Sequence, residues 1–124
     1  LIVLILFFVV FFGFAAQAQR SPGLNVKALE KESGQTIGTF RALIIGINDY
    51  QDKDIPKLKT AVKDAEEMAE VLGKDYGFSE IVLLTNENAN ASKIGKSIRT
   101  LISQSKEEDS ILIYYAGRLL ISID

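Results

Sequence analysis

Three short apolar runs separated by two stretches of helical periodicity constrain this chain more than any other feature. Residues 40–48 (Phe-Arg-Ala-Leu-Ile-Ile-Gly-Ile-Asn), 81–85 and 111–117 are bounded by turn formers and rich in β-branched residues, the pattern of strands buried on both faces. Between the first two, Leu58, Ala61, Val62, Ala65, Met68, Ala69 and Leu72 recur at helical spacing, with Gly73 or Gly77 as the left-handed stop. Between the second and third, Ile94, Ile98, Leu101 and Ile102 form the apolar face of another helix, which Asn90 can cap through its side-chain oxygen. The order is therefore β-α-β-α-β. Parallel neighbours need crossover helices, and crossovers are right-handed, so the expected fold is α/β: a parallel sheet between two helical layers.

The 124 residues allow one modest domain, and they are not uniform along the chain. All 30 charged residues lie at or after Arg20. Residues 1–12 are wholly apolar and lead through Gly13 to Ala16-Gln17-Ala18, an A-x-A cleavage pattern, so residues 1–18 read as a signal peptide lacking its basic start. The apolar run is shorter than the roughly 20 residues that span a bilayer, which favours cleavage and export over the alternative, a membrane anchor at residues 1–16. Residues 19–39 carry Ser21-Pro22-Gly23, Ser33-Gly34 and Gly38 with scattered apolar positions, and read as a linker or irregular N-terminal arm.

The residue inventory removes several chemistries. With 0 Cys and 0 His, the chain offers no thiolate nucleophile, imidazole base, disulfide or zinc finger. A net charge of −2 provides no basic face, so nucleic acid is not an expected partner.

In open parallel sheets, ligands bind beyond the C-terminal ends of the strands. Three features fall there. Asp49, Asp52 and Asp54 share the first loop; they could ligate a hard cation, but the EF-hand spacing and its closing Glu are missing, and turn-forming aspartates are the plainer reading. Gly46 could let the backbone approach a phosphate, yet no GxGxxG or GxxxxGK[ST] follows, so packing is the plainer role. Tyr114 and Tyr115 lead to Gly117 at the third strand's end, where alternating tyrosines are more commonly core and rim than site. No cofactor or metal is expected.

Taken in order, these segments resemble one family. Residues 41–50 (Arg-Ala-Leu-Ile-Ile-Gly-Ile-Asn-Asp-Tyr), Leu58 with Val62-Lys63-Asp64-Ala65, Tyr76-Gly77-Phe78, the Ile94–Ile98–Leu101 spacing and residues 109–117 (Asp-Ser-Ile-Leu-Ile-Tyr-Tyr-Ala-Gly) are similar to the N-terminal half of a caspase-like cysteine peptidase domain, the peptidase C14-like kind found in metacaspases and bacterial caspase homologues. The resemblance covers residues 40–117. It implies a caspase-like fold, cysteine endopeptidase ancestry and protein or peptide substrates, with Asp64 fixing a helix start or loop.

The chain also departs from that family. There the third strand ends Tyr-Ala-Gly-His-Gly, the His being the general base, and the nucleophilic Cys follows tens of residues later. Here Gly117 is followed by Arg118, so of the site region only Gly117 is carried over, in a structural role, and no catalytic residue is assigned. Residues 118–124 read as a non-family tail, which a shifted reading frame or altered gene end would produce. The expectation is a truncated, catalytically incomplete peptidase domain. The alternatives are an exported pseudo-peptidase binding module and a flavodoxin-like binder using the Asp49–Asp54 loop. Because the family places further strands beside the third, its outer edge is expected to be bare and open to self-association.

Overall fold

The computed structural model describes residues 2–7 and 26–118. In chain order the elements are β1 (Ile2–Phe7), α1 (Val26–Ser33), β2 (Phe40–Gly46), α2 (Ala61–Asp75), β3 (Glu80–Thr85), α3 (Ala91–Gln104) and β4 (Ser110–Ala116). The strands form one sheet in the order β1-β4-β2-β3, all pairs parallel. Arg41–Gly46 of β2 run beside Glu80–Thr85 on one side, and Phe40–Gly46 run beside Ser110–Ala116 on the other.

This order explains the three layers. The chain steps from β2 to β3 in one direction, then from β3 back across β2 to β4 in the other. Right-handed crossovers made in opposite directions place their helices on opposite faces. Accordingly, Ala42, Ile44, Tyr114 and Ala116 pack with Ala61, Ala65 and Leu72 of α2 on one face. Leu43, Ile45, Ile47 and Ile111 pack with Leu101 of α3 and Ala89 on the other. The period-2 alternation of β2 thus feeds two cores, which is why the run is apolar at nearly every position.

The helix ends follow from local chemistry. Asn90 Oδ1 accepts from Lys93 N at 3.0 Å, the expected N-cap of α3. At the end of α2 the stop is Gly77 (φ 73°), with Phe78 N and Tyr76 N both donating to Leu72 O; Gly73 lies inside the helix. Ile102, assigned to the apolar face of α3, is 54% exposed, because the last turn of α3 passes beyond the sheet-facing stripe that ends at Leu101.

Two segments differ from the sequence reading. Within residues 19–39, Val26–Ser33 form a helix of eight residues. Its sequence holds too few apolar positions to register as periodic, and Gly34 (φ 67°) terminates it with Gly34 N bonded to Glu30 O. At the other side of the sheet, the outer edge of β4 is not bare: Ile2–Phe7 pair with Ser110–Tyr115, so among the described residues the sheet has four strands rather than three. Among the described residues, no helix is long and apolar enough to cross a membrane. The A-x-A pattern and residues 119–124 of the tail lie outside the described residues.

The N-terminal end of the sheet is tied by charge. Arg41 and Asp109 are both buried, and Arg41 Nε donates to Asp109 Oδ2 at 3.4 Å. Arg41 also pairs with Glu80, across β2 and β3. Asp109 accepts from Lys106 N at 2.9 Å and Thr39 N at 2.7 Å. These backbone donors, Lys106 first and Thr39 second, hold its carboxyl below the usual range, with Arg41 adding to them and burial opposing. A carboxyl lowered on folding contributes stability above its unfolded value of about 4 and loses that contribution as pH falls through the folded value. We therefore expect Tm to decline on acidification from pH 5 downward, roughly the region where unfolded carboxyls titrate, and to decline less steeply in Asp109→Asn. Thermal melts across that range test this, and parallel profiles for the two proteins would refute it.

Candidate functional site

The C-terminal ends of β2, β3 and β4 meet at one rim, and the loops that follow β2 and β3 are joined there by two asparagines. Asn48 follows β2. Its Oδ1 accepts from Val62 N at 3.2 Å, and its carbonyl accepts from Leu58 N at 2.8 Å, so it caps α2 from outside the helix and closes the intervening loop. Thr60, the local N-cap, makes no side-chain cap bond. Asn86 begins the 3-10 turn Asn86–Asn88 after β3 and sits at φ 45°, a left-handed conformation that asparagine tolerates better than most residues. Its Oδ1 accepts from both Asn48 N (2.9 Å) and Asp49 N (3.1 Å). The two loops flank a cleft of about 600 Å³ whose polar lining includes Asp49, Tyr50, Lys53, Asn86, Glu87 and Asn90.

The aspartates of the first loop do not converge. Asp49 Oδ2 accepts from Lys57 Nζ at 2.7 Å, and Lys53 Nζ lies 3.7 Å from Oδ1. The hydrogen bond from Lys57 is the main reason the Asp49 carboxyl titrates below its ordinary value. Asp52 Oδ1 accepts from Asp54 N at 3.0 Å, a local turn of the kind aspartate favours. Among the described residues, no group of three or more His, Cys, Asp or Glu side chains could hold a metal ion.

Gly46 turns its missing side chain to α2. A Cβ there would lie 2.6 Å from Ala65 Cβ and 2.7 Å from Ala61 O, so the glycine permits close strand–helix packing and its Cα hydrogens face the helix. Asp64 is in the first turn of α2, where a carboxylate suits the positive end of the helix dipole, and its charge adds to burial in raising the Tyr114 phenol. Tyr114 belongs to the α2-side core and Tyr115 is partly buried against the α3-side core.

Beyond β4 the chain is latched. Arg118 N donates to Tyr50 Oη, Tyr115 Oη donates to Arg118 O at 3.0 Å, and Arg118 Nε donates to Pro56 O at 3.1 Å. Gly117 passes between the two phenols: a Cβ would meet Tyr115 Oη at 2.6 Å and Tyr50 Oη at 2.9 Å. Burial, then the hydrogen bond and charge of Tyr50, push the Tyr115 phenol well above its usual range, so it stays a neutral donor. Ile47 N, donating to Ala116 O at 2.9 Å, holds the ends of β2 and β4 together just before the latch.

An ordered β-α-β-α-β core, helices on both faces and a rim built from the ends of β2 and β4 agree with a family comparison, in which residues 40–124 match the metacaspase, peptidase C14 domain. The chain belongs to the metacaspase peptidase C14 family. The match continues past Gly117 through residues 118–124, which the sequence alone set apart as a tail. No curated protein matches the chain. Protein substrates are thus the general class that this C14 domain implies, and β1 and α1 stand before the matched range.

The sequence pointed to the rim beyond the strand ends but not to the contacts that organise that rim. Asn48 and Asn86 bond across 38 positions, and Tyr50 and Arg118 across 68, separations at which no local spacing rule operates. The available signal was compositional: asparagines directly after two buried strands, where a side-chain amide can bond the backbone of a neighbouring loop.

Proposed function

We propose that this chain is a non-catalytic C14 module, exported after removal of residues 1–18, that holds a protein or peptide ligand at the C-terminal rim of its sheet. The observation that carries the reading is Arg118. It follows Gly117 where the family has its general base, and both its backbone and its side chain are engaged with Tyr50, Tyr115 and Pro56. A guanidinium titrates above about 12 and accepts no proton from a thiol near neutral pH. With no base at position 118, a thiol at this rim would have no group there to take its proton, and residues 1–124 hold no Cys or His of their own. The cleft between the Asn48 and Asn86 loops is lined by Asp49, Lys53 and Glu87, which gives an extended peptide both charge signs to pair with.

The purified chain is expected to hydrolyse no peptide, whether a basic, acidic or apolar residue precedes the scissile bond. Arg118→His should gain nothing, since the imidazole would have no thiol to activate. A panel of fluorogenic peptides tests both proteins. Turnover above buffer that a thiol reagent abolishes would overturn the reading.

A further inference from the structure

Of the five asparagines in the sequence, Asn90 alone opens an Asn-x-Ser triplet, Asn90-Ala91-Ser92, whose centre is not proline. In an exported chain this pattern is the acceptor for N-linked sugar. It marks a working site only where the folded chain can carry the sugar, and this fold can. Ala91 and Ser92 are exposed at the start of α3, and Asn90 is half-buried at the end of the loop between β3 and α3. We propose that Asn90 carries an N-linked glycan in the exported chain, received from a polyprenyl-diphosphate-linked oligosaccharide. In the transfer, Asn90 Nδ2 attacks C1 of the first sugar. The N–C1 bond forms, the C1–O bond to the diphosphate breaks, the lipid diphosphate leaves, and the nitrogen gives up one of its two protons. The inference rests on the export reading, which brings the chain to the compartment where such donors are used.

The amide already serves the fold, and the modification leaves that service intact. Asn90 is the N-cap of α3: its Oδ1 accepts from Lys93 N at 3.0 Å, and its Nδ2 donates to Glu87 O at 3.1 Å. A primary amide carries two N–H donors beside its carbonyl oxygen. Glycosylation replaces one hydrogen, which leaves the other for Glu87 O and the oxygen for the cap. Asn90 also lines the cleft between the Asn48 and Asn86 loops, so the sugar would stand at the lip of the proposed ligand site.

The helix start itself supplies the test. Ala91 is the first residue of α3, a position where proline is favoured, and the Asn90 backbone (φ −82°, ψ 160°) is extended, as a residue before proline prefers. Ala91→Pro therefore suits the fold yet breaks the acceptor pattern, which excludes proline at its centre. The full chain is secreted from a eukaryotic host behind the host's own signal sequence, so that acceptor function is read independently of residues 1–18. The secreted protein should be heavier than the bare chain, and a peptide N-glycosidase should remove the excess. Ser92→Thr should keep the added mass, and Ser92→Ala and Ala91→Pro should each lose it. The glycosylated protein should melt no lower than Ser92→Ala, because the cap survives, whereas Asn90→Ala removes sugar and cap together and should melt lower than Ser92→Ala. A secreted chain without sugar, sugar retained in Ser92→Ala or Ala91→Pro, or a glycosylated chain melting below Ser92→Ala would each overturn the proposal. Secretion driven by residues 1–18 alone tests the export reading separately: a chain retained in the cell would refute export while the acceptor result stands or falls by itself.

Discussion

Gly46→Val is expected to destabilise the domain by about 3 kcal/mol, at the upper end of the range for overpacking. The neighbours of the missing Cβ explain the size of the effect. One is Ala65 Cβ, at 2.6 Å; the others are backbone, Ala61 O at 2.7 Å and Val62 Cα at 3.0 Å. None is the far end of a flexible side chain, so relief requires α2 to move off the sheet. That movement would also disturb the Asn48 Oδ1 bond to Val62 N, which fixes the start of α2 at the rim. Urea unfolding should show a lower midpoint with an unchanged slope, since the unfolded surface is essentially the same. Gly95→Ala is the control: its added Cβ meets only Arg99 guanidinium nitrogens at 3.3 and 4.0 Å, which can swing aside, and a helical alanine is favoured over glycine by up to about 1 kcal/mol. Equal losses for the two variants would refute the close-packing role of Gly46.

Much of the core was legible because β2, β3 and β4 are short apolar runs and the helices between them keep a 3.6-residue stripe. The strand bounds fall within two residues of the expected ones for β2, within one for β3 and within one for β4. The layer order was legible too, since parallel strands of this length require crossovers of fixed hand. The caspase-like reading rested on those same segments, and the C14 match covers them.

What escaped the sequence did so for identifiable reasons. An uncharged apolar run satisfies a leader's h-region and a buried strand equally well, because both select for hydrophobicity without periodicity, so the pairing of Ile2–Phe7 with β4 was not legible beside the leader pattern. The α1 helix has only two turns, and its charged residues hide the few apolar ones. Arg41 sits in an otherwise apolar run, a signal that a buried carboxylate must lie near it, but the sequence does not say that the partner is Asp109, 68 residues away. The same limit applies at the opposite end of the sheet, where the rim depends on long-range amide and phenol contacts rather than on a motif.

Ile44→Ala should cost about 4 kcal/mol, within the upper part of the range measured for truncating a buried aliphatic residue. Ile44 is fully buried, and its strand is hydrogen-bonded on both sides, to β3 through Leu83 and to β4 through Tyr114 in the register. The cost of such a truncation depends on how far the surroundings can collapse into the space left behind. Here β2 cannot shift toward α2 without breaking two ladders, and α2 is already at contact distance through Gly46 and Ala65, so little of the cavity can close. For a domain of this size the loss corresponds to a fall in Tm of roughly 15–30 °C. Leu83→Ala provides the contrast from the next strand. Leu83 is 40% exposed on β3, a strand bonded among the described residues to β2 alone, and its loss should be about 1 kcal/mol or less. Paired thermal and urea melts of the two variants measure the difference directly. A Leu83→Ala loss as large as that of Ile44→Ala would mean that the edge strand is covered in solution, and the packing assigned to β2 as the centre of the fold would have to be revised.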